Sequence, residues 1–171
     1  RDGVWRLAAL SLCAGSFFTA REAIGHSLGE LHGPVPGFSA RFLRRVERIF
    51  DGLRPDLILE RRNWSVLNTD ALHTPDPAPY RARIGEIDPA DAGQAVFLRM
   101  ERQTLRRLPG TGGVLFTIRV WRHPLAALDE DPARLRAFAA AWRGATEDFR
   151  AYKKLHLFDA LVDGFLRARG E

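Results

Sequence analysis

Two guanidinium groups, Arg102 and Arg106, stand four residues apart in a stretch that otherwise reads as core-building. Just upstream, Val96, Leu98 and Met100 alternate with Phe97 and Arg99 in the manner of a strand. A strand that persists carries that apolar row into Arg102, Thr104 and Arg106. A helical turn at the same place still leaves Arg102 and Arg106 on one side. A strand points them where the core-facing residues point, and either geometry aims the paired arginines at one place. Buried arginine is costly unless it meets an anion, so the pair calls for an anionic cofactor or substrate.

Other side chains able to do chemistry are few. His32 sits among Gly33, Pro34, Pro36 and Gly37, a stiff segment that can hold an imidazole at a fixed angle beside a cofactor. The same histidine can equally do no more than cap backbone groups of a Pro-rich turn. Asn63 and Trp64 are adjacent in a strand-like run, so one faces the core and the other a cleft or solvent. Arg62 lies on Trp64's side, where it either stacks on the ring or reaches an anion. Glu101 is a candidate general base or anchor for a substrate cation; it is also placed to pair with Arg99 or Arg102. One cysteine and five scattered histidines offer no zinc-ligand spacing. A phosphate-binding loop, a dinucleotide fingerprint and a nucleophile elbow are missing from the sequence, and the glycines at 110, 112 and 113 lack the lysine and following helix a P-loop needs.

The elements that must position these groups alternate between strand and helix. The apolar run 4–13 predicts a buried strand. Thr19, with Glu22 three residues on, predicts a capped short helix over 20–25. Residues 31–37 hold two prolines and two glycines and predict a loop. Ser39 is expected to cap an amphipathic helix with Phe42, Leu43, Val46, Ile49, Phe50 and Leu53 inward. Strands are expected over 58–67 and on both sides of the glycine turn at 110–113, the latter two as an antiparallel hairpin. Asp131-Pro132 opens a long helix with apolar spacing through Tyr152, continued after a break by Leu155, Phe158, Leu161, Val162 and Phe165. The order predicts one α+β domain spanning 1–171, with a mostly antiparallel sheet and a long C-terminal helix or helix pair.

Composition narrows the classes. A chain of 171 residues, 46% hydrophobic, suits one domain with a sizeable core; such a domain buries roughly 70% of its unfolded surface without help from disulfides. The lone Cys13 cannot pair within the chain and argues for a reducing, cytoplasmic compartment. The apolar runs fall short of the ~20 residues needed to span a bilayer. Net charge is +5, but the arginines are interspersed with 21 acidic residues, and a basic tail or aromatic–basic motif is missing, which argues against nucleic acid. The start at Arg1-Asp2, with Met100 the sole methionine, reads as a trimmed or partial version of something longer.

Ser11-Leu12-Cys13, the 31–36 run ending Val35-Pro36, Arg62-Asn63-Trp64, and the 99–109 run followed by 115–119 occur in an order that resembles the heme-dependent oxidative N-demethylases. The likeness spans about residues 4–166. It implies a PAS-like heme domain, here shorter at its N-terminus than is usual. It implies a heme b monooxygenase that takes a methyl group from a small, dimethylamine-like amine with O2, releasing formaldehyde. By the same resemblance His32 is the iron ligand, with Cys13 second choice. Arg62, Arg102 and Arg106 then hold the heme propionates, and Glu101 and Arg102 serve the reaction. Electrons would come from a separate flavin or iron–sulfur reductase, because this chain holds neither cluster cysteines nor a nucleotide motif. A homo-oligomer is among the assemblies expected. A PAS-like heme sensor or interaction module without turnover is the alternative. Ala14-Gly15-Ser16 stands where the family has an aromatic and a proline, and His26-Ser27 where less polar residues are usual, so one pocket wall is expected to differ.

Overall fold

The structure is a computed structural model that describes residues 3–35 and 37–171. Pro36, part of the histidine segment, and Arg1-Asp2 lie outside the described residues. The chain divides into two compact units. One takes Arg1–Asn63, Leu72–Pro75 and Glu101–Arg119; the other takes Trp64–Ala71, Asp76–Met100 and Val120–Glu171.

The first unit opens with two short capped helices. In α1 (Ala20–Ala23), Thr19 and Glu22 exchange the expected capping-box bonds. In α2 (Leu28–Leu31), Ser27 and Glu30 repeat the device. The helices α3 (Phe38–Arg41) and α4 (Leu43–Gly52) follow. Gly37, left-handed at φ 68°, takes the N-cap position of α3, so Ser39 lies inside that helix and is not the cap. Gly29 lets α4 come close: a Cβ there would stand 3.3 Å from Leu43 Cδ2.

The 4–13 run is not a buried strand. It makes one isolated bridge, Arg6 to Ser27, and leaves Val4, Leu10 and Cys13 exposed. Its backbone instead bonds the turn between α1 and α2, through Leu7 to His26 and Leu28 to Trp5. An apolar run without alternation specifies no pleat. Trp5 does anchor the segment: its indole donates to Asp51, 2.8 Å away, under the Arg107 guanidinium. Arg107 also donates to the Phe50 and Asp51 carbonyls at the end of α4, where a cation opposes the helix dipole.

The sheet has the order β1 (Ile58–Leu67), β2 (Phe97–Arg107), β3 (Val114–Pro124), all antiparallel. Side-chain bonds pair Arg61 with Gln103 and Asn63 with Glu101, so β1 and β2 run in opposite directions. Gly112 at φ 69° supplies the left-handed residue of the β2–β3 turn, closed by Leu108 N–H donating to the Gly113 carbonyl.

The second unit adds α5 (Ala78–Ala82), α6 (Ala92–Ala95), α7 (Pro132–Arg143), α8 (Glu147–Lys153) and α9 (Asp159–Arg167). Asp131 caps α7 with Pro132 in its first turn, as expected. The C-terminal helical stretch is broken twice. Gly144 ends α7 before Thr146 caps α8, and Lys154 turns left-handed at φ 56° ahead of α9. The core collects Val96, Leu125, Leu155 and Val162 around Trp142. Trp64 packs edge-on to Phe138, 6.1 Å between centroids. Among the described residues, no helix is long and apolar enough to cross a membrane.

Trp142 is buried, donates to Asp163 Oδ1 at 2.8 Å and lies 4.9 Å beneath the Arg150 guanidinium. Replacing it by alanine is expected to cost about 3–5 kcal/mol, and by phenylalanine about 1–2 kcal/mol through the lost hydrogen bond; denaturant unfolding measures both. Asp129 is held below its ordinary carboxylate range chiefly by its hydrogen bonds from Arg169. Its contribution to stability is therefore present above the unfolded carboxylate pKa and lost as pH falls below about 4. Asp129→Asn should lower the neutral-pH melting temperature slightly and flatten its decline in acid.

Candidate functional site

The chemistry-bearing side chains that meet do so in the first unit. His32 occupies the C-cap of α2, where its backbone leaves the helix. Its ring turns back on its own helix, and Nδ1 lies 2.8 Å from the Leu28 carbonyl oxygen. A carbonyl only accepts, so Nδ1 carries the proton and Nε2 keeps its lone pair. The ring also stacks on Phe38, 4.2 Å between centroids and 9° from parallel. Burial pushes the imidazole below its ordinary pKa; the Leu28 bond opposes that, and the nearby Arg61 charge adds to it. Backbone bonds from Gly33 to Glu30 and from Val35 to His32 hold the following turn.

A polar chain crosses from β1 to β2. Arg61 Nε donates to Gln103 Oε1, and Gln103 Nε2 donates to Glu101 Oε2 at 2.8 Å. Asn63 Nδ2 donates to the same Glu101 oxygen at 3.3 Å. Gln103 is only 5% exposed, so its amide is oriented: oxygen toward the cation, nitrogen toward the carboxylate. Strand alternation puts Arg61, Asn63, Glu101 and Gln103 on one face.

The arginines singled out by spacing lie on the other face. Arg102 donates to Glu60 at 2.7 Å, and Arg62 reaches the same carboxylate at 3.4 Å. Arg106 donates to the Pro55 carbonyl at 3.3 Å. Arg102 and Arg106 are exposed, whereas Arg99 and Gln103 are buried. The apolar row of β2 therefore does not continue inward past Met100, itself 40% exposed. Upstream of Met100 both sides are buried, at Val96 and Leu98 on one and Arg99 on the other; past it only the side of Arg99 and Gln103 stays buried. Glu101 and Arg102, adjacent in the strand, point to opposite sides, so a small molecule bound on one face meets only one of them.

The structure thus joins Glu101 by hydrogen bonds to three residues given no site role by spacing, namely Arg61, Asn63 and Gln103, and the Arg61 charge also reaches His32. The signal for these was period 2: Arg61 and Asn63 share one parity, as do Glu101 and Gln103. Cys13 is exposed near Ser11 and away from this group's hydrogen bonds. Among the described residues, no three His, Cys, Asp or Glu side chains gather as a metal site. A heme iron asks less, because the porphyrin supplies four nitrogens and the protein one axial ligand. His32, with Nδ1 tied to a carbonyl and Nε2 available, is that kind of donor. A cation beside it suits the propionates of such a group.

A comparison with protein families bears on this donor set. The family described as haem-dependent oxidative N-demethylase, alpha subunit-like, matches residues 1–162. With nearly the whole length covered, the chain belongs to the haem-dependent oxidative N-demethylase, alpha subunit-like family.

Proposed function

We propose that this chain is the heme domain of an oxidative N-demethylase acting on a small amine, with His32 Nε2 as the axial ligand of a heme b iron. The observation that carries the reading is the Nδ1–H donated to Leu28, which sets the tautomer and ring angle a metal-bound imidazole needs. We take the three-stranded sheet and its helices as a PAS-like heme domain spanning 1–171, and the compartment as cytoplasmic.

When bound, the heme supplies the redox chemistry that activates O2. The overall balance takes one amine, one O2, two electrons and two protons to the shorter amine, formaldehyde and water. The electrons come from a separate flavin or iron–sulfur reductase. The side chains bind and orient. Glu101, fixed by the Asn63 and Gln103 amides, offers a carboxylate to a protonated amine. Arg61 offers the propionates a cation on the same face. Arg62 and Arg102 already share Glu60 on the opposite face, and Arg106 bonds a backbone carbonyl. The geometry therefore favours Arg61 over all three as the propionate anchor.

Titration of the heme-free chain with heme, followed by absorbance, tests the assignment. His32→Ala should change the spectrum and weaken retention. Arg61→Ala should loosen binding about tenfold, the worth of one good charge-assisted contact, whereas Arg102→Ala stays within about twofold of the parent. Equal losses at Arg61 and Arg102 would contradict the choice of face.

Turnover separates an enzyme from a sensor. With dimethylamine, O2 and an electron donor, the heme-loaded chain should release formaldehyde. Glu101→Gln should raise KM for the amine and leave heme affinity unchanged. A heme-loaded chain that consumes neither amine nor O2 would favour the sensor.

A further inference from the structure

Among the described residues, most arginines that meet a carboxylate do so in closed pairs, such as Arg54 with Asp56 or Arg169 with Asp129. The helix α4 is different. Arg44, Arg45 and Arg48 are exposed, and none of them meets a carboxylate among the described residues. Spacings of three and four residues put them on one helical face. Phe42 and Ile49, 44% and 43% exposed, stand beside Arg45 on the same side. Arginines around an exposed aromatic make the composition of a protein-docking patch rather than of a merely solvated face. The apolar content is too small for a bilayer-seated helix, because Leu43, Val46 and Phe50 are already half-buried within the unit.

The patch also leads inward. Phe42 lies 6.4 Å from the buried Phe38, and Phe38 stacks on His32. Two ring contacts thus join the exposed face to the imidazole read above as the iron ligand. Electronic coupling falls steeply with distance and is carried better by packed atoms than by gaps.

We propose that the Arg44–Arg45–Arg48 face of α4, with Phe42 at its edge, docks an acidic redox protein of the flavin or iron–sulfur class. The proposal rests on the heme reading of the preceding section. Each encounter passes one electron: the donor is oxidised and the heme iron goes from ferric to ferrous. Small interfaces steered by charge are the usual form of such transient contacts.

Flavodoxin, a strongly acidic flavoprotein, serves as the probe. Its binding to the heme-free chain by calorimetry, and its reduction of the heme-loaded chain by stopped flow, are measured at low and high salt. The variant Arg44→Glu/Arg45→Glu/Arg48→Glu should lose at least about tenfold in both, and the corresponding glutamine variant an intermediate amount. Salt should weaken the parent and scarcely affect the glutamate variant. Reduction by dithionite should be the same for all, and Arg136→Glu/Arg143→Glu, placed on α7, should behave as the parent. Circular dichroism checks that α4 is retained. Flavodoxin rates blind to the three arginines would overturn the proposal. So would loss, in the glutamate variant, of binding to phosphatidylserine vesicles alone. A chain that takes up no heme yet binds flavodoxin through these arginines would leave the docking face standing and sink the heme reading.

Discussion

The pairing register of β1 against β2 is the constraint on which the site depends. Arg61 opposite Gln103 and Asn63 opposite Glu101 place four polar side chains on one face. A slip of one residue would send each to the other side, bringing Arg62 and Arg102 onto the face that now holds Glu101. The two hydrogen-bonded pairs hold the register from the polar side. At the other end of the strands, buried Val66 and Leu98 hold it from the apolar side. Two different interactions agreeing on one register is what makes a three-stranded sheet a dependable platform.

The second constraint is local and small. Helix α2 has a single turn, which alone would be marginal in water. Its Ser27–Glu30 capping box closes one end and His32 closes the other, by bonding back to Leu28. One hydrogen bond therefore finishes a helix, picks a tautomer and sets a ring plane against Phe38. Structure and candidate chemistry share that bond, which is why the capping role and the proposed ligand role of His32 do not compete.

Much of this architecture was legible in the sequence. The strand over 58–67, the hairpin about Gly112, the Thr19 capping box and the Asp131-Pro132 helix start each rest on a local rule, and each appears where that rule puts it. What failed needed tertiary information. The 4–13 segment is apolar enough for a strand, but strandhood is decided by a partner, and its partner is a turn that offers a single bridge. The buried row of Val96 and Leu98 predicts the same inward side past Met100, where that side is exposed instead. That one extrapolation put Arg102 and Arg106 in the core and passed over Gln103. The break before Leu155 falls where the apolar spacing puts it, at Lys154, whereas the one at Gly144 is masked by apolar spacing that runs on through Ala145 and Phe149.

Family membership and the donor geometry of His32 converge on heme, and iron ligation by that residue is the central claim. The most direct measurement is the iron–histidine stretching band in the resonance Raman spectrum of the ferrous, heme-loaded chain. It should be present in the parent, absent in His32→Gly, and restored in that variant by added imidazole occupying the vacated ring position. A band that persists unaltered in His32→Gly would show that another residue holds the iron.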